Sequence, residues 1–400
     1  MLVAEATQEL IEGEHQYLVQ TYARPDFVLE RGEGMTLYDT SGKSYHDWVA
    51  GIAVNALGYN DAGVQQHIAD GLSHGLIHLS NLYHNVPMIE LAKILVEKSF
   101  ADRVFFTNSG TEANEGAIKF VRRVAYNANK PEKIEFVTFN HAFHGRSMGS
   151  LSLTPKEKYQ KPFKPMLPAV HIAEYNDIES VRALINDNTC AVIIEPIQGE
   201  GGIYAATPQF LKELRALCNQ YQAVLIFDEV QCGVGRTGDL WAHTASGVTP
   251  DIMTIAKPLA AGLPIGAILV TQEIASHISA GDHGSTFAGG PLVTRVAKYV
   301  IDRVSQPEFL AHVSEVGDYL QERLSEINSP LIVDVRGRGL MVGVELSVDV
   351  SPIIRKGYER GFLLVNAGTN VIRLVPPLIA EKSDVDHLVD HLTQILEEMV

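Results

Sequence analysis

The chain has 400 residues, 46% of them apolar and 20% charged, with a formal net charge of −16. That length suits two domains with ample core, and the acidic balance argues against a sequence-independent nucleic-acid binder, because phosphate contacts need a basic surface. Cys190, Cys218 and Cys232 are widely spaced and suggest neither a disulfide framework nor a thiolate zinc site.

Residues 5–21 read as a short amphipathic helix. Glu5, Glu9, Glu12 and Glu14, with no Lys or Arg in the first twenty residues, are unlike a signal peptide or a mitochondrial presequence. No apolar run approaches the roughly eighteen residues that span a bilayer, so a cytoplasmic protein without a membrane partner is expected. An extended arm, TYARPDFVLERGEG, leads into a hairpin-like MTLYDTSGKSYHDW with Ser41 and Gly42 at its turn. The small apolar segment GIAVNALGY (51–59) suits a close approach of backbone to a ligand or to other backbone. Helices are predicted over 61–76 and 86–100, then a buried strand over 103–107.

The exit of that strand, NSGTEANEGAIKFVRRVAYN, places Ser109, Gly110 and Thr111 at the start of a helix with Ala117, Ile118, Val121 and Ala125 on its apolar face. Free N–H groups and two hydroxyls there can cradle a phosphate. A capping box of Ser109 with Glu112 accounts for the same residues without a ligand. A strand over 134–139 leads to NHAFHGRSMGS, where Gly145 to Gly149 match the G-x-S-x-G elbow of serine hydrolases around Ser147. That elbow must follow its strand directly and open a helix, whereas SLSLTP follows here. His141 and His144 lack a third ligand arranged with them, so hydrogen-bonding roles are expected and no metal. A helix over 180–186 precedes a strand over 191–194 that ends in EPIQGEGG, with Glu195 and Glu200 flanking a tight turn; a helix follows over 208–220.

The segment AVLIFDEVQCGVGRTGDLWAHTASGVTPDIMTIAKP (223–258) reads as an apolar strand ending on Asp228 and Glu229, a glycine-rich turn, and a second short strand that delivers Lys257. Strand ends are where α/β proteins bind ligands. A desolvated lysine there is neutral and nucleophilic and forms Schiff bases. A carboxylate facing it would keep a ring nitrogen protonated, as pyridoxal phosphate requires. An ion pair at the sheet rim accounts for the same two residues. Gly233, Gly235 and Gly238 match a dinucleotide fingerprint, but the following DLWAHTASGVTP is broken by Gly and Pro where a helix should open. A strand in AGLPIGAILV, a loop GDHGSTFAGGP and a helix from residue 292 come next. Alternating strands and helices over 90–270 predict an α/β architecture with a mainly parallel sheet. From about residue 305 a smaller α+β unit is predicted, closed by a helix that Ser383 caps.

Taken together, NSGTEANE, FHGR, EPIQGE, DEVQCGVGRTG, TIAKPLAAGLPIGA, GSTF and NVIRLVPPL resemble the class III aminotransferases, pyridoxal phosphate enzymes of fold type I, in family order across residues 20–380. The resemblance implies a large domain over 51–304 with a mainly parallel, seven-stranded-type sheet. It also implies an arm and part of a smaller domain over 1–50, and the rest of that domain over 305–400. Lys257 would carry the cofactor as a Schiff base and move the proton at the substrate carbon, and Asp228 would pair with the pyridinium nitrogen. Ser109, Gly110 and Thr111 would hold the phosphate, with Thr286 reaching it from a neighbouring subunit, which implies a homodimer with shared active sites. Phe143 and Val230 would pack on the two faces of the ring, with Gln231 near its hydroxyl.

Arg146 and Arg373 would bind the carboxylates of glutamate and 2-oxoglutarate, and Glu200 would pair with Arg373 when the donor presents its distal amine. Tyr22 and Ser285 would complete the substrate contacts. Within the family, GIAVNALG, FHGR and GSTF most resemble acetylornithine aminotransferases, and Ile52 falls where ornithine aminotransferases carry a tyrosine. Pro258 to Ala261 and Ala288 to Gly290 depart from the family's usual residues at the pocket mouth. The implied reaction moves the δ-amino group of N2-acetyl-L-ornithine to 2-oxoglutarate, a step of arginine biosynthesis. Ornithine, 4-aminobutyrate, succinyl-diaminopimelate or carrier-bound lysine are the alternative donors, and a hydrolase using Ser147 is the distant alternative.

Overall fold

A computed structural model describes residues 2–400. At its centre seven strands lie in the order Arg103–Thr107, Gly266–Val270, Ile252–Ile255, Val224–Asp228, Thr189–Ile194, Glu135–Phe139 and Val170–Ala173. Gly266–Val270 runs antiparallel to both its neighbours and the remaining pairs are parallel. Side chains alternate between the two faces, as the pleat requires. Ile193 and Ile226 pack under the helix Gly110–Asn127 with Ala117, Phe120 and Val121. Val192, Ile194, Leu225 and Phe227 pack on the other face against Phe210, Leu214 and Leu217 of the helix Pro208–Tyr221. Both faces are therefore dry, which explains strands as uniformly apolar as TCAVII and VLIFD.

Register brings the chemistry to one edge. Ile226 lies opposite Ile252 and Asp228 opposite Thr254 in parallel strands, so Asp228 and Lys257 leave the sheet on the same side. Two smaller sheets draw on both ends of the chain. Leu29–Glu33, Thr36–Asp39 and Ser44–Asp47 are joined in parallel by Phe362–Leu363. Ile332–Arg338, Met341–Leu346, Val371–Leu374 and Val365–Ala367 form an antiparallel sheet. Among the described residues no helix is long and apolar enough to cross a membrane.

Several expectations need correction. The first helix ends at Tyr17. The edge strand Val170–Ala173 has no counterpart among the predicted elements, because VHIA is short and half exposed. The final helix, Lys382–Glu397, starts on Glu381, whose side chain forms a reciprocal capping box with Asp384, so Ser383 lies inside the first turn and does not cap it.

Between the strand Ser44–Asp47 and Leu57, Ala50, Gly51, Ile52 and Ala53 all have φ between 50° and 66°. A left-handed conformation costs a non-glycine residue about 1–2 kcal/mol. Asp47 offsets this by accepting from the Val49 and Ala50 N–H groups at 2.8 and 3.0 Å and from Tyr59 Oη at 2.7 Å.

In the helix Pro307–Ser325, Gly317 lies flush against the Gly339 backbone, where an added Cβ would run into the Gly339 carbonyl. Elsewhere in a helix, alanine would be preferred to glycine. Here the Gly317→Ala variant is expected to lose about 1–3 kcal/mol from overpacking, read as a lowered midpoint in urea unfolding; an unchanged or raised midpoint would show that the turn yields.

Candidate active site

Gly110, Thr111, Asn114, Phe143, His144, Arg146, Glu195, Asp228, Val230, Gln231 and Lys257 line one cleft of about 250 Å3 at the strand ends. Asp228, 3% exposed, ends its strand as the residue on which three donors converge. Its Oδ1 accepts from the Val230 N–H at 3.0 Å, and its Oδ2 from Asn114 Nδ2 at 2.8 Å and from His144 Nδ1 at 2.8 Å. Asn114 is itself fixed: Thr254 Oγ1 donates to its Oδ1 at 2.8 Å, which turns the amide N–H groups toward Asp228 and the His144 carbonyl. The ring of His144 is thus an orienting group, in line with the expectation that it makes hydrogen bonds.

Lys257 begins a short 3-10 turn, Lys257–Ala260, directly after its strand. Burial first, and then the Arg373 charge, lower its amine from 10.5 to about 8 against the opposing pull of Glu200, Asp228 and Glu195. Glu195 accepts from the Phe143 N–H at 3.0 Å and the Gly199 N–H at 3.1 Å, so it ties the Phe143 loop to the turn that carries Glu200. Burial pushes its carboxyl above the ordinary range, with the Asp228 charge adding to the rise and His144 opposing it.

Ser109 and Glu112 make only half of the expected capping box. Ser109 Oγ accepts from the Glu112 N–H at 3.3 Å, but the Glu112 carboxylate turns to the Asn108 N–H and Nδ2, both at 2.8 Å. The N–H groups of the helix's first turn have no intrahelical acceptor. Gly110 lies so close to Val230 that a Cβ would meet the valine methyls at 2.6 and 2.9 Å, which keeps the floor of the cleft flat. A flat floor, first-turn N–H donors, a buried carboxylate and a desolvated amine fit a phosphorylated aromatic aldehyde.

Arg373, 1% exposed, donates through Nη1 to Glu200 Oε1 at 2.6 Å and to Gln231 Oε1 at 3.1 Å. Gln231 is therefore committed to the arginine in this structure. Burial would raise the Glu200 carboxyl, but the Arg373 and Lys257 charges and the Arg373 hydrogen bond outweigh it and hold the carboxyl low. Arg146 is exposed, its guanidinium 3.7 Å from the centre of the Tyr159 ring.

Other expected residues lie elsewhere. Tyr22 is 72% exposed on the arm, with Arg24 over its ring. Ser285 Oγ accepts from Asn108 Nδ2 at 2.8 Å, and Thr286 is exposed beside it; within this chain neither lines the cleft. Ser147 Oγ is bonded to Thr111 Oγ1 at 2.6 Å, and no histidine hydrogen-bonds to it among the described residues, so a hydrolase base is missing. Gly233 to Gly238 turn without opening a helix, which removes the dinucleotide loop. No group of three or more His, Cys, Asp or Glu residues among the described residues is disposed to hold a metal ion.

Sequence reasoning misses Asn114, His144 and Glu195 as members of the site. Asn114 carries a readable signal, a polar residue on the buried face of an amphipathic helix.

Fold and cleft together define a pyridoxal-phosphate-dependent transferase of fold type I. The Aminotransferase class-III family profile matches residues 18–396, and the chain belongs to that family. It is a transaminase that uses pyridoxal phosphate. It is 50% identical to the mitochondrial acetylornithine aminotransferase of Alnus glutinosa, over 98% of this chain and 88% of that one. It is 43% identical to the succinylornithine transaminase of Yersinia enterocolitica, over 96% of this chain and 95% of that one. The crystal structure of the ornithine aminotransferase from Toxoplasma gondii superposes with a TM-score of 0.94 at 28% identity, over 98% of this chain and 95% of that one. The expectation of a cytoplasmic protein is overturned by relatives from Alnus glutinosa, Dictyostelium discoideum, Yarrowia lipolytica and Debaryomyces hansenii, all of them mitochondrial by name.

With its amine lowered to about 8, Lys257 becomes half neutral there and increasingly nucleophilic as pH rises. In cofactor-free protein, labelling by fluorodinitrobenzene, followed by peptide mass spectrometry, is expected to reach half its limiting rate at Lys257 near pH 8, while exposed lysines lag until near pH 10. A Lys257 midpoint at the exposed value would refute the desolvation.

Proposed function

We propose that this transaminase moves the δ-amino group of N2-acetyl-L-ornithine to 2-oxoglutarate, giving N-acetyl-L-glutamate 5-semialdehyde and glutamate. The observation that carries this reading is the pairing of Arg373 with Glu200, whose carboxyl also feels the Lys257 charge, with Arg146 lining the same cleft as Lys257. A dicarboxylate needs both arginines, whereas an ω-amino donor needs one arginine and a site without a second free cation. Glu200 meets both demands: it masks Arg373 while the donor's amine is present and releases it for 2-oxoglutarate. By resemblance, Ile52 in place of a tyrosine would leave room for an acyl group on the donor. The names of the relatives, acetylornithine, succinylornithine and ornithine aminotransferases, support a donor of this diamino-acid type.

Bound pyridoxal phosphate supplies an electron sink for charge developing at the substrate carbon. Asp228, steadied by Asn114, His144 and the Val230 N–H, would accept the hydrogen bond of the ring nitrogen. Lys257, neutral above about pH 8, takes the proton from the donor's δ-carbon and holds it for return. Phe143 and Val230 would exclude water from the ring faces, Ser109, Gly110 and Thr111 would hold the phosphate, and Gln231, paired with Arg373 in this structure, would serve the ring hydroxyl.

The working unit is a homodimer in which Thr286 and Ser285 serve the neighbouring cleft. Phe287 and Ile77, 67% and 59% exposed, lie beside that loop as an apolar surface for a second copy. Tyr22 on the exposed arm is the remaining proposed substrate contact. Residues 51–304 form the cofactor-binding domain, and 1–50 with 305–400 form the smaller one.

Purified protein is expected to be yellow, and borohydride should fix the cofactor to Lys257, identified by peptide mass. Lys257→Ala should still take up pyridoxal phosphate yet lose transamination by about a hundredfold or more; retained turnover would remove Lys257 from its role. Across N2-acetylornithine, ornithine, 4-aminobutyrate and succinyl-diaminopimelate, kcat/KM should be highest for the acetylated donor. A higher value for free ornithine would displace this reading in favour of an ornithine aminotransferase.

A further inference from the structure

Glu200 carries the proposed exchange of partners, yet its own segment does little to fix it. It stands at the tip of a hairpin formed by Ile197–Gln198 and Tyr204–Ala205, between Gly199 and the pair Gly201 and Gly202. Glycine loses more freedom on ordering than any other residue, so a carboxylate on such a tip is loosely placed unless something outside the hairpin holds it. The C-terminal antiparallel sheet does so. Arg336 lies opposite Gly343 and Gly343 opposite Arg373, a single row across three strands; directly opposed residues share a face of the sheet. The hairpin lies along this row. Glu200 meets Arg373 at 2.6 Å, Ile203 sits on Gly343, where an added Cβ would meet its side chain at 3.0 and 3.1 Å, and the Gly202 carbonyl accepts from Arg336 Nε at 2.9 Å.

The Arg336 end of the row is built for that last contact. Gly202 has a φ of 115°, a conformation that side chains rarely allow, and in it the carbonyl reaches the guanidinium. Arg336 is mostly buried and held on several sides. Its guanidinium lies 3.8 Å from the centre of the Tyr204 ring, and its Nη1 donates to Glu345 Oε2 at 2.5 Å and to Asp334 Oδ2 at 2.9 Å. Tyr204 Oη donates to the same Glu345 oxygen at 3.1 Å, and Asn370 Nδ2 to the other at 3.1 Å. Two carboxylates would satisfy a surface ion pair. Here the rigid fork also commits its Nε to a backbone carbonyl of the hairpin and stacks on a hairpin ring, which a lysine could not do together.

We propose that Arg336 is a positioning residue for the Glu200–Arg373 pair, and that by holding the hairpin tip it sets the preference for an ω-amino donor with one carboxylate over glutamate with two. The inference rests on the exchange of partners proposed for Glu200 and deepens it. With Arg336 in place, the tip rests with Glu200 over Arg373 until a second carboxylate displaces it. Without Arg336 the glycine-rich tip wanders, Arg373 is left unmasked for more of the time, and glutamate gains at the expense of the donor.

Both N2-acetylornithine and glutamate react with the pyridoxal form of the holoenzyme, so single-turnover loss of the aldimine absorbance gives kcat/KM for each in one preparation. The readout is the ratio of donor to glutamate, which cancels any loss common to both. Arg336→Met removes the donors but keeps an apolar stem on Tyr204, and is expected to lower the ratio about tenfold, the worth of one charge-assisted hydrogen bond. Tyr204→Leu, which takes away the platform alone, should lower it by a smaller factor and carries the test if Arg336→Met takes up no cofactor. In a Glu200→Ala background, Arg336→Met should move the ratio no further. A ratio unmoved in the folded variants, or lowered to the same extent with Glu200 absent, would overturn the positioning role. If Glu200→Ala itself leaves the ratio at the wild-type value, the exchange of partners falls instead.

Discussion

A carboxylate placed in a dry sheet edge is the constraint from which the site follows. Asp228 is almost fully buried, and an ionised carboxylate in such surroundings is tolerable only when hydrogen bonds replace the lost water. Its three donors come from separate parts of the chain: the helix Gly110–Asn127, the loop bearing His144, and the residue two positions on. Satisfying Asp228 therefore docks the helix Gly110–Asn127 and the loop bearing Phe143 and His144 onto the same strand. Thr254, one strand over, fixes Asn114 and so couples the neighbouring strand, the one that delivers Lys257, to the same arrangement. Acid and amine hold their separation because they share a hydrogen-bonded support.

A second charged group is managed in the opposite way. Arg373 is as buried as Asp228 but is met by a carboxylate that keeps partial access to solvent, Glu200, and by the neutral Gln231. Breaking a buried ion pair by removing one partner costs several kcal/mol, about 3–5, so in the proposed reaction Glu200 would leave Arg373 only as another carboxylate arrived. Exchange of partner would then be coupled to the charge of the incoming substrate. Asp228 is fixed by neutral and backbone donors and has no such exchange, which suits a group that acts on a permanent occupant.

Much of this is legible in the chain. The strand at 103–107 can be read to the residue because it is a short apolar run between clear breaks. Asp228 and Lys257 stand out because a charge that closes an uninterrupted apolar strand marks the rim where a sheet meets ligand or solvent. The partners of Asp228 are not legible as partners: Asn114 and His144 lie 114 and 84 residues away, and only the folded register brings them together. Strand direction is equally hidden, since GAILV is apolar in either direction and only its pairing shows it antiparallel. Tyr22, Ser285 and Thr286 come from family resemblance alone, and a single chain holds them outside its own cleft.

The left-handed turn at Ala50 to Ala53 has a consequence for how this protein tolerates change. Three non-glycine residues there together cost about 3–6 kcal/mol, a sum comparable with the whole stability of many domains, about 5–15 kcal/mol. The turn packs on Lys257–Ala260, and Ala53 shares a core with Ile197, Cys232 and Val375, which neighbour the segments bearing Glu200, Gln231 and Arg373. Drift toward glycine at these positions would ease the backbone at the expense of the fully buried Ala50 and Ala53 methyls. That alanine and isoleucine stand there makes the turn a stretch where backbone ease and core packing make opposing demands, and where ancestral or laboratory-evolved variants would record which demand prevailed.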